Sequence, residues 1–113
     1  MMDDLIREIS RLAREEYQRA AAEHGGAANT PHEGYALIKE EEEEAADQMS
    51  TVIQKVKTLW WSVKSDNLGA QRQCLDEIRI AAILGACELV QVAAMADKAL
   101  EGLKKLMGGG ETR

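Results

Sequence analysis

The chain contains no phenylalanine, a single proline and two cysteines in 113 residues, and aromatic residues of every kind amount to 4%. Two cysteines cannot build a disulfide framework. A run of about 18 uninterrupted apolar residues is missing, so no membrane span is expected. A basic segment leading into an apolar stretch is missing too, so no secretory signal is expected. There is no Cys/His metal cluster, no G-x-x-x-x-G-K-[ST] phosphate loop and no G-x-S-x-G nucleophile elbow. Basic residues are in deficit, 14 against 20 acidic ones, for a net charge of −6. That balance argues against a nucleic-acid backbone as the main partner. At 45% apolar residues the chain is too hydrophobic for a disordered one. The expectation is a soluble, cytoplasmic domain, and its acid excess needs a location.

What is present favours helix throughout. Ala, Glu, Leu, Lys, Gln, Arg and Met dominate, and long stretches lack Gly and Pro. A first helix is predicted from about Asp3 to His24, with Leu5, Ile6, Ile9, Leu12, Ala13 and Tyr17 at helical spacing and Gly25-Gly26 as its stop. Thr30-Pro31-His32-Glu33 reads as an N-cap, a proline at the first helical position and a glutamate three residues past the cap. From Pro31 a second helix of about 35 residues is predicted, its stripe being Tyr35, Ile38, Ala45, Met49, Val52, Val56, Leu59 and Val63. Ser65-Asp66-Asn67-Leu68-Gly69 is the turn into a third helix that runs to about Met107. The reading is one all-α domain over 1–107, built of long antiparallel helices, followed by a flexible tail at 108–113. Helices this long cannot bury all their apolar faces within one such chain, so a homodimer or homotetramer forming a helical bundle is expected.

Two features break the helical pattern. Glu40 to Glu44 are five consecutive carboxylates inside a helix, and at about 100° per residue they sweep more than a full circle. They cannot all lie on one solvated face. Glu88 stands in the most apolar part of the third helix, among Leu84, Ala86, Leu89, Val90 and Val92. A lone carboxylate there is costly unless something neutralises it. Counted from Asn67, Glu44 lies 23 residues before and Glu88 21 after, and Glu41 and Gln91 lie 26 before and 24 after. An antiparallel hairpin therefore brings Glu41 and Glu44 level with Gln91 and Glu88, to within about 3 Å. Oxygen ligands converging in this way suit Mg²⁺ or Mn²⁺. The blander alternatives are a solvated glutamate face, and a Glu88 paired with Arg72 or Arg79 of another subunit.

The stretch Leu37-Ile38-Lys39-Glu40-Glu41-Glu42-Glu43-Glu44 resembles the first metal motif, EExxE, of the MazG-like all-α nucleoside triphosphate pyrophosphohydrolases. Glu88-Leu89-Val90-Gln91 resembles the second, ExxD, and Pro31-His32-Glu33-Gly34-Tyr35-Ala36 is similar to phage-type members. The resemblance covers roughly residues 30–103. It implies Mg²⁺-dependent cleavage of a (d)NTP between its α- and β-phosphates, giving a monophosphate and pyrophosphate. By position it makes Glu40, Glu41, Glu44, Glu88 and Gln91 the metal ligands, with Glu41 or Glu44 as the base that orients water. Gln91 stands where the motif carries Asp, and Glu42 where a leucine is usual. Lys39, Lys55 and Arg79 are candidates for phosphate contacts. The alternative is a non-catalytic helical oligomer, a binding or structural protein that retains this scaffold.

His32 reads as a first-turn helix residue. Trp60 and Trp61 have no basic patch beside them for nucleic-acid stacking and are assigned to a subunit interface. Cys74 and Cys87 are thirteen apart on one helix, about 20 Å along its axis, and cannot bridge each other. Both are read as small core thiols. Without the five glutamates at 40–44, fifteen acids face fourteen bases. The acid excess is one local run.

Overall fold

The computed structural model describes residues 1–108, so most of the expected tail, 109–113, lies outside the described residues. Three helices follow in order: α1 (Met2–His24), α2 (Pro31–Lys64) and α3 (Leu68–Leu106). No strand occurs among the described residues. The all-α expectation and its boundaries hold to within about two residues.

The helix ends follow the local chemistry. Gly25 closes α1 at φ 92°, a conformation in which a Cβ is strained, and its N–H reaches the Ala21 carbonyl. Thr30 caps α2 by accepting the Glu33 N–H at 3.1 Å, while the Glu33 carboxylate reaches back to the Asn29 N–H. α2 ends in a Schellman arrangement. Asn67 N–H donates to the Ser62 carbonyl at 3.0 Å and Asp66 N–H to the Val63 carbonyl at 3.1 Å, with Asp66 left-handed at φ 54°. Asn67 then opens α3, its Oδ1 accepting the Ala70 N–H at 3.0 Å. One short segment thus stops one helix and caps the next.

Two compact units are distinguished. The first comprises Met1–Glu42 with Leu89–Arg113, and the second Glu43–Glu88. In the first, Ala20, Ala94 and Met95 form a small core against which Tyr17, Leu37 and Ile38 pack. Close approach is made possible by glycine. A Cβ on Gly102 would stand 2.3 Å from the Ala28 carbonyl oxygen, and one on Gly34 would stand 2.9 Å from the Ala99 Cβ. Ala28 N–H donates to the Lys98 carbonyl at 3.1 Å, which pins the α1–α2 connection onto α3. Tyr17 donates its hydroxyl to the Gly26 carbonyl at 2.9 Å. The first three turns of α1 are exposed, Leu5, Ile6, Ile9 and Leu12 included. Along α1, Arg7 pairs with Asp4, Arg11 with Glu8 and Glu15, and Arg19 with Glu16 and Glu23, at i,i+3 and i,i+4 spacing.

The second unit is an antiparallel hairpin of α2 (43–64) and α3 (68–88). Its inner row on α2 is Ala45, Gln48, Val52, Lys55, Leu59 and Ser62, all buried or half-buried. On α3 it faces Gln71, Cys74, Ile78, Ala81 and Gly85, likewise buried or half-buried. These are mostly small or polar residues, so the helices approach closely: a Cβ on Gly85 would lie 3.3 Å from that of Gln48. Lys55 pairs with Glu77 at 3.0 Å, and Gln71 donates to the Ser62 carbonyl at 3.2 Å. The expected α2 stripe divides here into two adjacent rows. Ala45, Val52 and Leu59 face α3, whereas Met49, Val56 and Val63 are exposed. Among the described residues no large side chain is fully buried.

Candidate metal centre

Glu41, Glu44 and Glu88 each offer a carboxylate oxygen, and the three atoms lie within 4.8 Å of one another. Glu44 and Glu88 both belong to the hairpin unit and face each other across it. Glu41 reaches the same place because it sits one turn before Glu44 on the unbroken helix α2, where residues three apart are neighbours. Glu41 and Glu88 are half-buried and Glu44 is exposed. The register expected from counting outward from Asn67 is the register found.

The donor set fits a hard divalent cation. Oxygens bound to one octahedral Mg²⁺ at about 2.1 Å stand about 3.0 Å apart when cis and about 4.2 Å when trans, so binding draws the three side chains together by up to about 2 Å. The slightly longer bonds of Mn²⁺ or Ca²⁺ need less. Three carboxylates with no imidazole or thiolate beside them among the described residues suit these ions rather than Zn²⁺.

The other expected ligands divide. Glu40 is exposed and is not part of the triad. Gln91 is half-buried and is engaged by α1. Its amide, after the stronger hydrogen bond from Arg19, helps hold the Glu16 carboxyl below its usual value against the opposing effect of burial. An amide donates through nitrogen and ligates through oxygen. Holding Glu16 therefore leaves Gln91 chemically able to offer a carbonyl to a cation.

The expected phosphate contacts are placed less favourably. Lys39 pairs with Glu42 at 3.2 Å. Lys55, eleven residues beyond Glu44 and so about 16 Å farther along α2, is held by Glu77. In turn this Lys55 pairing, followed by a hydrogen bond from Gln73, lowers the Glu77 carboxyl. Arg79 lies nine residues before Glu88, about 13 Å along α3, and makes no ion pair among the described residues. Within one chain, neither Lys55 nor Arg79 is brought to the carboxylate triad.

Some residues differ from their sequence reading, or escaped it. Cys74 is buried as expected, but Cys87 is exposed, because the inward row of α3 runs through Ala81, Gly85 and Glu88 and leaves position 87 outside. Trp60 and Trp61 are exposed at 58% and 67%, and the Lys64 ammonium sits over the Trp61 ring at 3.7 Å and the Trp60 ring at 5.2 Å. Lys98 is only 7% exposed and makes no ion pair among the described residues. Its one sequence signal was position, seven residues after Gln91 on the same face of α3. A cavity of about 150 Å³ lined by Thr30, Pro31, Ala99, Gly102 and Leu103 contains no charged residue to receive an anion. The carboxylate triad is the chemically distinctive feature. No family model matches the chain, and no curated protein or solved structure is detectably similar to it.

Proposed function

We propose that the chain is a Mg²⁺-dependent nucleoside triphosphate pyrophosphohydrolase of the MazG-like type, acting as a homo-oligomer in the cytoplasm. The observation that supports this most is the convergence of Glu41, Glu44 and Glu88, drawn from the two stretches that resemble that family's paired metal motifs. A hard cation held there, Mn²⁺ as well as Mg²⁺, supplies charge neutralisation for a triphosphate and lowers the pKa of a bound water. Glu88 and one of Glu41 and Glu44 would hold it, and Gln91 would offer a neutral carbonyl where the family pattern has an Asp. Glu41 and Glu44, a turn apart, divide two duties. One of them ligates, and the other accepts a proton from the attacking water and orients it toward the α-phosphorus.

Replacing Asp by Gln at position 91 removes one ligand charge, so weak Mg²⁺ affinity is expected. The second reading, a non-catalytic oligomer on the same scaffold, is favoured by this residue alone. Pyrophosphate release over a panel of (d)NTPs with Mg²⁺ or Mn²⁺ separates the two. Turnover that is abolished by Glu41→Gln and raised by Gln91→Asp supports the enzyme. No turnover with any nucleotide, together with no metal-induced rise in Tm, refutes it.

A further inference from the structure

The hairpin unit carries its large apolar residues on the outside. On α2, Met49, Ile53, Val56, Trp60 and Val63 are 59%, 47%, 49%, 58% and 43% exposed. Their 4-3-4-3 spacing is that of a seam in a left-handed helix bundle. At about 100° per residue this row lies about 90° around α2 from the inner row that touches α3. A helix that contacts two neighbours at right angles has the geometry of a corner in a four-helix bundle. Leu68 and Leu75, 76% and 53% exposed, with Ala82 and Ala86, extend the same side of the hairpin along α3. The opposite side of α2 is polar: Asp47, Thr51, Gln54 and Thr58.

We infer that this apolar side is where a second copy of the chain docks, hairpin against hairpin and end over end about a two-fold axis. The seven large side chains present on the order of 700 Å² of exposed apolar surface, close to the ~800 Å² that each partner buries in a standard stable interface. It exceeds what a monomer ordinarily leaves in one patch. Charge sets the direction. The open end of the hairpin carries Glu43, Glu44, Asp47 and Glu88 and no basic residue. From Lys55 to Arg79, around the turn, stand five bases (Lys55, Lys57, Lys64, Arg72 and Arg79) against Asp66, Asp76 and Glu77. Side-by-side pairing with like ends together stacks acid on acid and base on base. End-over-end pairing instead keeps the Lys64 and Arg72 ends of the two copies apart.

A membrane fits the same surface less well. α3 includes an 18-residue window of mean hydropathy 1.7, of which 17% is buried, so by length and composition it could cross a bilayer. Spanning would also take the polar flank of α2 and the Lys55–Glu77 pair into hydrocarbon. A second copy covers the apolar side alone and leaves that flank in water.

The association needs neither metal nor nucleotide, so its test is separate from that of catalysis. The full chain, without either, should run by light scattering at twice 12.4 kDa. Ile53→Glu should yield a monomer of unchanged helical content by circular dichroism, whereas Thr58→Glu on the polar flank should remain a dimer. Direction is read from a spin label at Gly69→Cys, where an added Cβ meets only an ordinary 3.7 Å contact, in a Cys87→Ser background. End-over-end pairing places the two labels about 30 Å apart, and like-ends pairing brings them within about 20 Å. A monomeric wild type, an assembly that Ile53→Glu leaves intact, or the short label distance overturns the inference. So does flotation of the wild type, but not of Ile53→Glu, with phosphatidylcholine–phosphatidylglycerol vesicles.

Discussion

Glu88→Gln isolates what the carboxylate triad does, because it changes charge while keeping shape. In metal-free buffer Glu88 has two carboxylates within 4.8 Å, those of Glu41 and Glu44. Two unit charges at that separation repel by about 1 kcal/mol in a water-like dielectric and by a few kcal/mol at an effective value of 20. The triad is half-buried to exposed, so screening keeps each pair near the lower figure. Losing both repulsions should stabilise the chelator-treated protein by about 1–2 kcal/mol, a rise in Tm of several degrees for a chain of this size. Added Mg²⁺ acts oppositely on the two proteins. It binds the folded wild type and raises its Tm by mass action, and it should leave Glu88→Gln almost unmoved. Thermal unfolding followed at 222 nm, with EDTA and then over a Mg²⁺ titration, reads both effects. If the variant is no more stable in EDTA and responds to Mg²⁺ as the wild type does, the three carboxylates do not share a cation.

Further perturbations probe the scaffold around that site. Gly102→Ala places a Cβ 2.3 Å from the Ala28 carbonyl oxygen, a backbone atom that cannot swing aside, and should cost about 2 kcal/mol or more in denaturant unfolding. Asp66→Gly relieves a left-handed residue at the end of α2 and should stabilise by several tenths of a kcal/mol in the same assay. Lys98→Met keeps the buried stem and removes an ammonium without an ion-pair partner among the described residues, and should stabilise by about 1 kcal/mol. The Glu8, Glu16 and Glu77 carboxyls are held low chiefly by Arg11, Arg19 and Lys55. Their contribution is complete above the unfolded carboxylate value near 4.3 and is lost as pH falls through the lower folded values. Acid titration of Arg19→Met should therefore show a shallower loss of stability below about pH 4 than the wild type.

Much of this was legible in the residues because the determinants are local. Thr30-Pro31 and Ser65–Gly69 mark their helix boundaries by capping chemistry that involves only neighbours, and the structure places both caps where the sequence does. The register of Glu41 and Glu44 with Glu88 was also legible, since a short turn joining straight helices leaves only residue counting between Asn67 and the site. Reading failed where the answer depends on which helix a face meets. One apolar stripe on α2 became two rows, because periodicity identifies a hydrophobic side without saying how much of it one neighbour can cover. Cys87 was assigned to the core for the same reason and is exposed. Charge alone carries no information on distance, and within one chain Lys55 and Arg79 each lie more than two turns along their helices from the triad.

The interior of the hairpin is mostly small or polar, with Ala45, Ser62, Cys74, Ala81 and Gly85 around half-buried Val52, Leu59 and Ile78, and so contributes limited transfer free energy. Met49, Ile53, Val56, Trp60 and Val63 hold most of its hydrophobic capacity and remain in solvent. A sequence that places its large residues outside its own hairpin is patterned for a contact that a single chain cannot make.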